Sequence, residues 1–496
     1  MGKSSETVET LLGRITPVLA TEEEQDFLSY TCERSDSVLA AIEKCLDNGV
    51  GACVVVDEGK PVGNVSLDDI RRAILDGSAI REPRLEPLVS RMADPLANGQ
   101  LRNDVNVDNR ILSPIVTENG YLSGIKLDRG EQYVQIAHPD LTRHEFRAVL
   151  DAFISSWVSS KGTYIGKFEE EFSAFVGLPH GVAVSNGTTA LHLALVALGV
   201  GPGDEVIVPD LTFAATINAV LYCGATPVIV DIDPQSWTMT AAGFAAACTP
   251  NTKAVIPVHL HGRPAEIGPI AELAHSRGIF VIEDCAEAHG ATYEGTKVGS
   301  FSDIACFSFF ANKIVTTGEG GMCLTASDSH ARMLRELRDH GMMPGKSYWH
   351  ERVGYNYRMT NLQAAIGQSQ IWRIDRILDR NRSIAERYRR ALDGIPGIAF
   401  PPTLPDACGS VVWLTCLQVP AHLRSHLIAA AHMAEIEMRP FFHSLSAMPL
   451  YEKYAGDCPH SRALSETGIN LPTSRSVDEQ VIERVATLIR KVMEAV

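Results

Sequence analysis

Three polar clusters in this chain stand where apolar runs stop, and each has the residue types for one part of a carbonyl chemistry. The run Cys306-Phe307-Ser308-Phe309-Phe310 leads through Ala311 and Asn312 into Lys313, and then into Thr316-Thr317-Gly318-Glu319-Gly320-Gly321. A lysine directly after a buried strand is costly as an ordinary cation, and burial that lowers an amine's pKa yields the neutral nucleophile that Schiff-base chemistry needs. Such a lysine can equally snorkel to the surface. The glycine-rich stretch is no Walker loop, since it lacks Gly-Lys-Ser/Thr and follows the lysine. Asp284 closes a second apolar run, Gly278 to Glu283, and is followed by Cys285-Ala286-Glu287-Ala288-His289-Gly290. A carboxylate there can keep a pyridine nitrogen protonated and so make the ring an electron sink. It can also cap a helix or pair with an arginine. The third cluster, Ser185-Asn186-Gly187-Thr188-Thr189, joins the run Val182–Val184 to an apolar helix. Backbone N–H groups and the positive end of the helix dipole at Gly187 to Thr189 form a seat for a phosphate; Ser185 or Asn186 can also serve as a plain N-cap.

Parallel α/β sheets bind ligands at the carboxyl ends of their strands. From Ile136 onward, near-continuous apolar strands (VAVS, VIVP, PVIVDI, AVIPVHL, IFVIEDC, ACFSFF) alternate with helices, which predicts a mostly parallel sheet covered on both faces. After about residue 375 the helices become charged, Asp375 to Leu392 among them, and LTCLQVP and EIEMRPFF read as strands of a smaller α/β lobe.

Before residue 130 the style differs. Ser37 to Leu46 reads as a helix, Ala52 to Asp57 and Val62 to Ser66 as strands about the turn Glu58-Gly59-Lys60, and Leu67 to Leu75 as a second helix. A looser echo follows roughly sixty residues on, with strands at Ile111 to Thr117 and Tyr121 to Lys126. The expected boundaries are 1–130 for this domain, 131–374 for a large ligand-binding domain and 375–496 for the small lobe.

Composition narrows the partners. With 44 basic and 60 acidic residues the chain carries −16, which disfavours nonspecific binding to nucleic acid or anionic membranes. No apolar run reaches spanning length, Glu6 breaks a myristoylation pattern, and the start lacks a secretory apolar core. The eleven cysteines include no Cys-x-x-Cys pair and no zinc spacing, so free thiols, a cytoplasmic location and no metal are expected.

In the first domain, DNGVGACVVVDEGKPVGNVSLDDIRRAILDG resembles one unit of a CBS pair, with Ser66 and Asp69 where that family often holds a ribose. Asp68 and Asp69 can instead simply cap the helix that begins there. The second unit is degenerate, with Arg129 where an equivalent Asp would stand. Over about residues 133–496 the ordered motifs SNGTTALHLAL, PDLTFAATINAV, PVHLHG, EDCAEAHGATYEG, FSFFANKIVTTGEGG, GYNYRMTNLQAAIG and MRPFFHSLSAMPLY resemble the DegT/DnrJ/EryC1/StrS sugar aminotransferases.

The resemblance implies an α/β fold-type I aminotransferase dependent on pyridoxal 5'-phosphate, preceded by an α+β CBS-like domain. By position it implies that Lys313 carries the cofactor as a Schiff base and moves the proton. Asp284 pairs with the pyridine nitrogen, and Phe213 stacks on the ring. Gly187, Thr188 and Ser308 hold the phosphate. Asn356 reaches that phosphate from the other subunit of a homodimer. Glu287 lies near the ring hydroxyl, where many members have Gln. The implied substrates are L-glutamate and a nucleotide-linked keto-sugar. Tyr348-Trp349-His350, GYNYRM and Glu287 are most similar to the branch that aminates C4 of GDP-4-keto-6-deoxymannose for surface polysaccharide. A UDP- or dTDP-linked sugar is the alternative, and a sugar dehydratase ranks below both because that relative has His in place of the lysine.

Overall fold

The computed structural model describes residues 29–75, 85, 88–91, 105–107, 110–116, 122–128, 133–343 and 345–494. Contacts divide the chain into two compact units, 1–132 with 141–146, and 133–140 with 147–496.

In the first unit, β1 (Thr31–Glu33), α1 (Val38–Asp47), β2 (Ala52–Asp57), β3 (Lys60–Ser66), α2 (Leu67–Leu75) and β4 (Ser90–Arg91) build a sheet of order β1-β2-β3-β4. Ser37 caps α1 by accepting from the Ala40 N–H. The β2–β3 turn uses positive φ at both Glu58 (50°) and Gly59 (78°), the twist that two-residue hairpins favour. Cys32, Ile42, Cys45, Cys53, Val55, Val65 and Ile70 form its core. The echo is a separate antiparallel sheet of β5 (Val105–Val107), β6 (Arg110–Val116) and β7 (Leu122–Asp128). Leu122 is buried beside Val50, Val54 and Val56, and its N–H donates to Gly59 O at 2.8 Å. Arg129 lies outside the described residues.

The second unit opens with α3 (Arg143–Ile154), whose first turn counts with the other unit, and α4 (Thr163–Val176). Strands and helices then alternate: β8 (His180–Val184), α5 (Gly187–Ala197), β9 (Glu205–Pro209), α6 (Ala214–Tyr222), β10 (Thr226–Val230), α7 (Ala241–Ala247), β11 (Thr252–Val255), α8 (Ile267–Ser276) and β12 (Phe280–Asp284). A minor hairpin, β13 (Thr292–Tyr293) and β14 (Thr296–Lys297), precedes β15 (Ile304–Ser308) and β16 (Gly321–Thr325). The seven-stranded sheet has the order β10-β9-β11-β12-β15-β16-β8, parallel except that β16 is antiparallel to both neighbours. β16 is not among the expected strands, because Gly320 and Gly321 read as a turn. The glycine is needed for close approach: a Cβ on Gly321 would lie 2.4 Å from Asn186 O.

After α9 (Asp328–Arg338) and α10 (Asn361–Ile371), the long α11 (Ile374–Ala391) leads into the last lobe. There β17 (Cys408–Gly409) joins the minor hairpin, while β18 (Thr415–Gln418), β19 (Arg439–Pro440) and β20 (Gly468–Leu471) form a sheet of order β18-β20-β19 with α12 (Ala421–Met433), α13 (Pro459–Thr467) and α14 (Glu479–Glu494). Ile384, Tyr388, Leu417, Leu427, Ile469, Val485 and Ile489 give this lobe its own core. The expected strand EIEMRPFF shrinks to two residues. Pro440 offers no N–H to a ladder, and Phe441 turns into a separate cluster against Trp237. Among the described residues, no helix is long and apolar enough to cross a membrane.

Candidate active site

β15 stops at Ser308, and the chain makes a tight excursion before returning as β16: Phe309 N–H donates to Gly320 O, Lys313 N–H to Phe310 O, and Thr317 N–H back to Phe309 O. This turn holds Lys313 inward, with its side chain only 12% exposed. Its Nζ lies 3.6 Å from Glu287 Oε1 and 4.0 Å from the centroid of the Trp413 ring. Trp413 is itself tethered, since its Nε1 donates to Asn312 O at 2.7 Å. Glu287 Oε2 accepts the His261 N–H at 2.8 Å. Burial pushes the Glu287 carboxyl up, and the Lys313 ammonium opposes that. Opposite charges sealed together favour one lysine position and restrict where its proton can go.

Asp284 ends β12 and is 5% exposed. Thr216 Oγ1 donates to its Oδ2 at 2.8 Å, the Ala286 N–H reaches Oδ1 at 3.2 Å, and Thr212 is within 3.0 Å of Thr216. Burial raises its pKa, while Thr216 and Ala286 lower it. Among the described residues only neutral donors hydrogen-bond it, which leaves room for a cationic N–H. Phe213 stands one residue from this chain, at the N-cap of α6. The residue is 58% exposed, and its ring is 5.6 Å from that of Phe442.

At α5, Asn186 and Thr189 form a reciprocal capping box, with Asn186 Oδ1 accepting the Thr189 N–H at 2.9 Å. The cap leaves the N–H groups of Gly187 and Thr188 directed off the helix start. Ser308 faces them so closely that a Cβ on Gly187 would lie 2.7 Å from the Ser308 Cβ. Capping and anion seating therefore coexist here. An amine, a buried carboxylate hydrogen-bonded among the described residues by neutral donors, and a glycine-lined helix start fit pyridoxal phosphate: an aldehyde, a ring nitrogen and a phosphate.

Asn356 is exposed, and its Oδ1 accepts from Arg358 Nε at 3.1 Å. In the first unit, Ser66 and Asp69 bond each other: Ser66 Oγ to Asp69 Oδ2 is 2.6 Å, the Asp69 N–H returns to Ser66 Oγ at 3.1 Å, and Arg72 takes Asp69 Oδ1 at 2.9 Å. Asp69 thus caps the start of α2 together with Ser66, while Asp68 pairs with Arg71 and Arg72. His259, Glu283 and Cys285 have metal-like proximity. His259 and Glu283 are engaged internally: the Ala265 N–H donates to His259 Nδ1, and Glu283 accepts from His259 Nε2, Gly299, Phe301 and Ser302. Sequence reading missed Thr216, Trp413 and His261. Thr216, three residues after Phe213, had a signal in its spacing; Trp413 comes from a distant segment and had none.

The fold and this site define a class, the lysine-centred α/β aminotransferases. Solved structures agree: the aminotransferase TlmJ of Streptoalloteichus hindustanus (TM-score 0.70, 30% identity, 73% of this chain and 99% of that one) and DesV of S. venezuelae in complex with a ketimine intermediate (0.67, 33%, 71% and 95%). Residues 139–490 match the DegT/DnrJ/EryC1/StrS aminotransferase family, and the chain belongs to it; residues 26–76 match the CBS domain. Aminotransferases of this family depend on pyridoxal phosphate. Similar relatives include GDP-perosamine synthases of Caulobacter vibrioides (44% identity, 73% of this chain, 98% of the relative) and Escherichia coli O157:H7 (42%, 71% and 96%). A UDP-N-acetyl-3-dehydro-alpha-D-glucosamine 3-aminotransferase of Acidithiobacillus ferrooxidans is 41% identical over 66% of this chain and 87% of its own length.

Proposed function

We propose that this enzyme moves an amino group from L-glutamate to C4 of GDP-4-keto-6-deoxymannose, forming GDP-perosamine for surface polysaccharide, as a cytoplasmic homodimer with shared sites. The observation that carries the reading is Lys313 Nζ held 3.6 Å from Glu287 Oε1 beside the sealed Asp284. The 44% identity to a GDP-perosamine synthase supports the choice of sugar. A lysine at this position, and not a histidine, favours amino transfer over dehydration. Residues 131–374 form the cofactor-binding domain, 375–496 the small domain and 1–130 the CBS-like domain.

Bound pyridoxal phosphate supplies an electron sink and an amino-group carrier. Gly187, Thr188 and Ser308 hold its phosphate, joined by Asn356 of the partner subunit. Asp284 keeps the ring nitrogen protonated, and Phe213 covers the ring. Lys313 Nζ takes the α-proton of glutamate, and in the second half-reaction it returns a proton to the sugar carbon that receives nitrogen. Glu287 holds the charge opposite Nζ.

A panel of GDP-, UDP- and dTDP-4-keto-6-deoxy sugars with glutamate, read by 2-oxoglutarate release and product NMR, tests this. The expected product is the C4 amine of the GDP sugar. Faster turnover of a UDP or dTDP sugar would establish the second reading, which the Acidithiobacillus relative favours.

A further inference from the structure

Nothing in the scheme above fixes where the amine of Lys313 stands while it is free of the cofactor. Glu287 Oε1 lies 3.6 Å from Nζ, longer than a hydrogen bond, so this carboxylate attracts the amine without fixing its direction. The other close contact is the face of Trp413, whose ring centroid is 4.0 Å from Nζ. An indole face carries negative charge density and is the best aromatic partner for a cation, more so where water is excluded. The Lys313 side chain is 12% exposed and Trp413 is 6% exposed, so this contact is largely dry.

Trp413 is held as a fixed stop. Its Nε1 donates to Asn312 O at 2.7 Å, so one side chain grips the backbone just before the lysine and also meets the lysine's tip. The His261 ring, 4.4 Å from that of Phe441, lies 6.0 Å from the Trp413 ring at 16° to it. The His261 N–H holds Glu287 Oε2 at 2.8 Å, which ties both groups that meet Nζ to one segment. Among the described residues, the titratable groups that feel the Lys313 charge are Asp284, Glu287, His261 and His289. Burial raises both carboxyls and pushes both imidazoles down to about 3, so neither ring competes as a cation. The indole does not titrate, and its pull on the amine is therefore present at every pH.

We propose that Trp413 is the positioning residue for Lys313, its indole face holding Nζ as an ammonium beside Glu287 whenever the lysine is free. The inference rests on the reading of Lys313 as the cofactor-binding lysine. In each half-reaction the free lysine takes a proton from one carbon and passes it to another, so between the two transfers it is an ammonium. A face that attracts that ammonium eases the first transfer and keeps the proton where the second needs it.

The test uses the cofactor-free full chain. Pyridoxal phosphate is added across a range of pH, and the rate of loading is followed by the visible absorbance of the lysine-bound cofactor. The neutral amine is the form that adds to the aldehyde, so the pH midpoint of loading reports how firmly the ammonium is held. The cofactor's own ionisations are common to every protein compared. The wild type is set beside Trp413→Leu and a series with mono-, di- and trifluorotryptophan at position 413. Fluorine drains the ring face of negative charge at nearly constant bulk and keeps the Nε1–H, so this series guards against misfolding of the Leu variant. The midpoint should fall stepwise as fluorines are added, and by about 0.5–1.5 pH units in Trp413→Leu. A midpoint that stays at the wild-type value or rises along the fluorinated series overturns the proposal and leaves Lys313 as the Schiff-base lysine. A wild type that develops no lysine-bound absorbance with pyridoxal phosphate overturns both.

Discussion

At the level of single residues, the buried Asp284 controls how the cofactor-free enzyme responds to pH. Its folded pKa is raised, burial first, with Glu287 adding to the rise and Lys313 opposing it. Across the window from its unfolded value, about 4, up to the folded value, the native state holds more protons than the unfolded chain, so this group's contribution to stability falls as pH rises. Asp284→Asn removes that penalty. In the cofactor-free protein at neutral pH it should raise Tm on the order of 1–3 °C by calorimetry, yet turnover should drop by roughly 100-fold or more. A lower Tm would mean that Thr216 and Ala286 already compensate the charge. Lys313→Ala should cost about 1,000-fold or more in turnover and abolish the visible absorbance of the lysine-bound cofactor, both in one protein. Retention of either signal sinks the assignment of Lys313.

At the level of elements, two junctions position those residues. The start of α5 packs on the end of β15 so tightly that Gly187→Ala forces a Cβ to within 2.7 Å of the Ser308 Cβ. The expected result is a cofactor Kd weakened about tenfold, together with a stability loss of about 1–3 kcal/mol; an unchanged Kd would move the phosphate elsewhere. The second junction is Asp210, fully buried just after β9. It accepts the Ser446 N–H at 2.6 Å and the hydroxyls of Ser444 and Ser446, which anchors the segment carrying Phe442 against Phe213. Asp210→Ala leaves those donors unpaired, at a cost of about 2–4 kcal/mol, and should lower Tm in a thermal melt. It should also lower kcat/KM, because it anchors the segment that holds Phe442 against Phe213.

At the level of the whole molecule, the two units are separable in kind. The alignment to the Caulobacter relative covers 98% of that protein with 73% of this chain, so the aminotransferase fold exists without a CBS-like unit. Deleting residues 1–132 should leave kcat/KM within about threefold and remove any response to adenine or guanine nucleotides, assayed side by side with the full chain. A full chain indifferent to both nucleotides would end a regulatory role for the unit. Much of this was legible in one dimension. Apolar runs with polar residues at their ends locate β12, β15 and the start of α5, because a parallel sheet buried on both faces requires continuous apolar strands and leaves polar groups only at strand ends. Lys313, Asp284 and Gly187 therefore stand out as candidates in the local sequence, although each taken alone also reads as a snorkelling lysine, a capping carboxylate or a plain helix start. Tertiary structure alone decided the rest. Trp413 under Lys313, Thr216 on Asp284 and the aromatic walls around His261 are contacts between segments tens to hundreds of residues apart. No periodicity encodes such pairings, since they arise when separate strand ends and loops converge on one edge of the sheet.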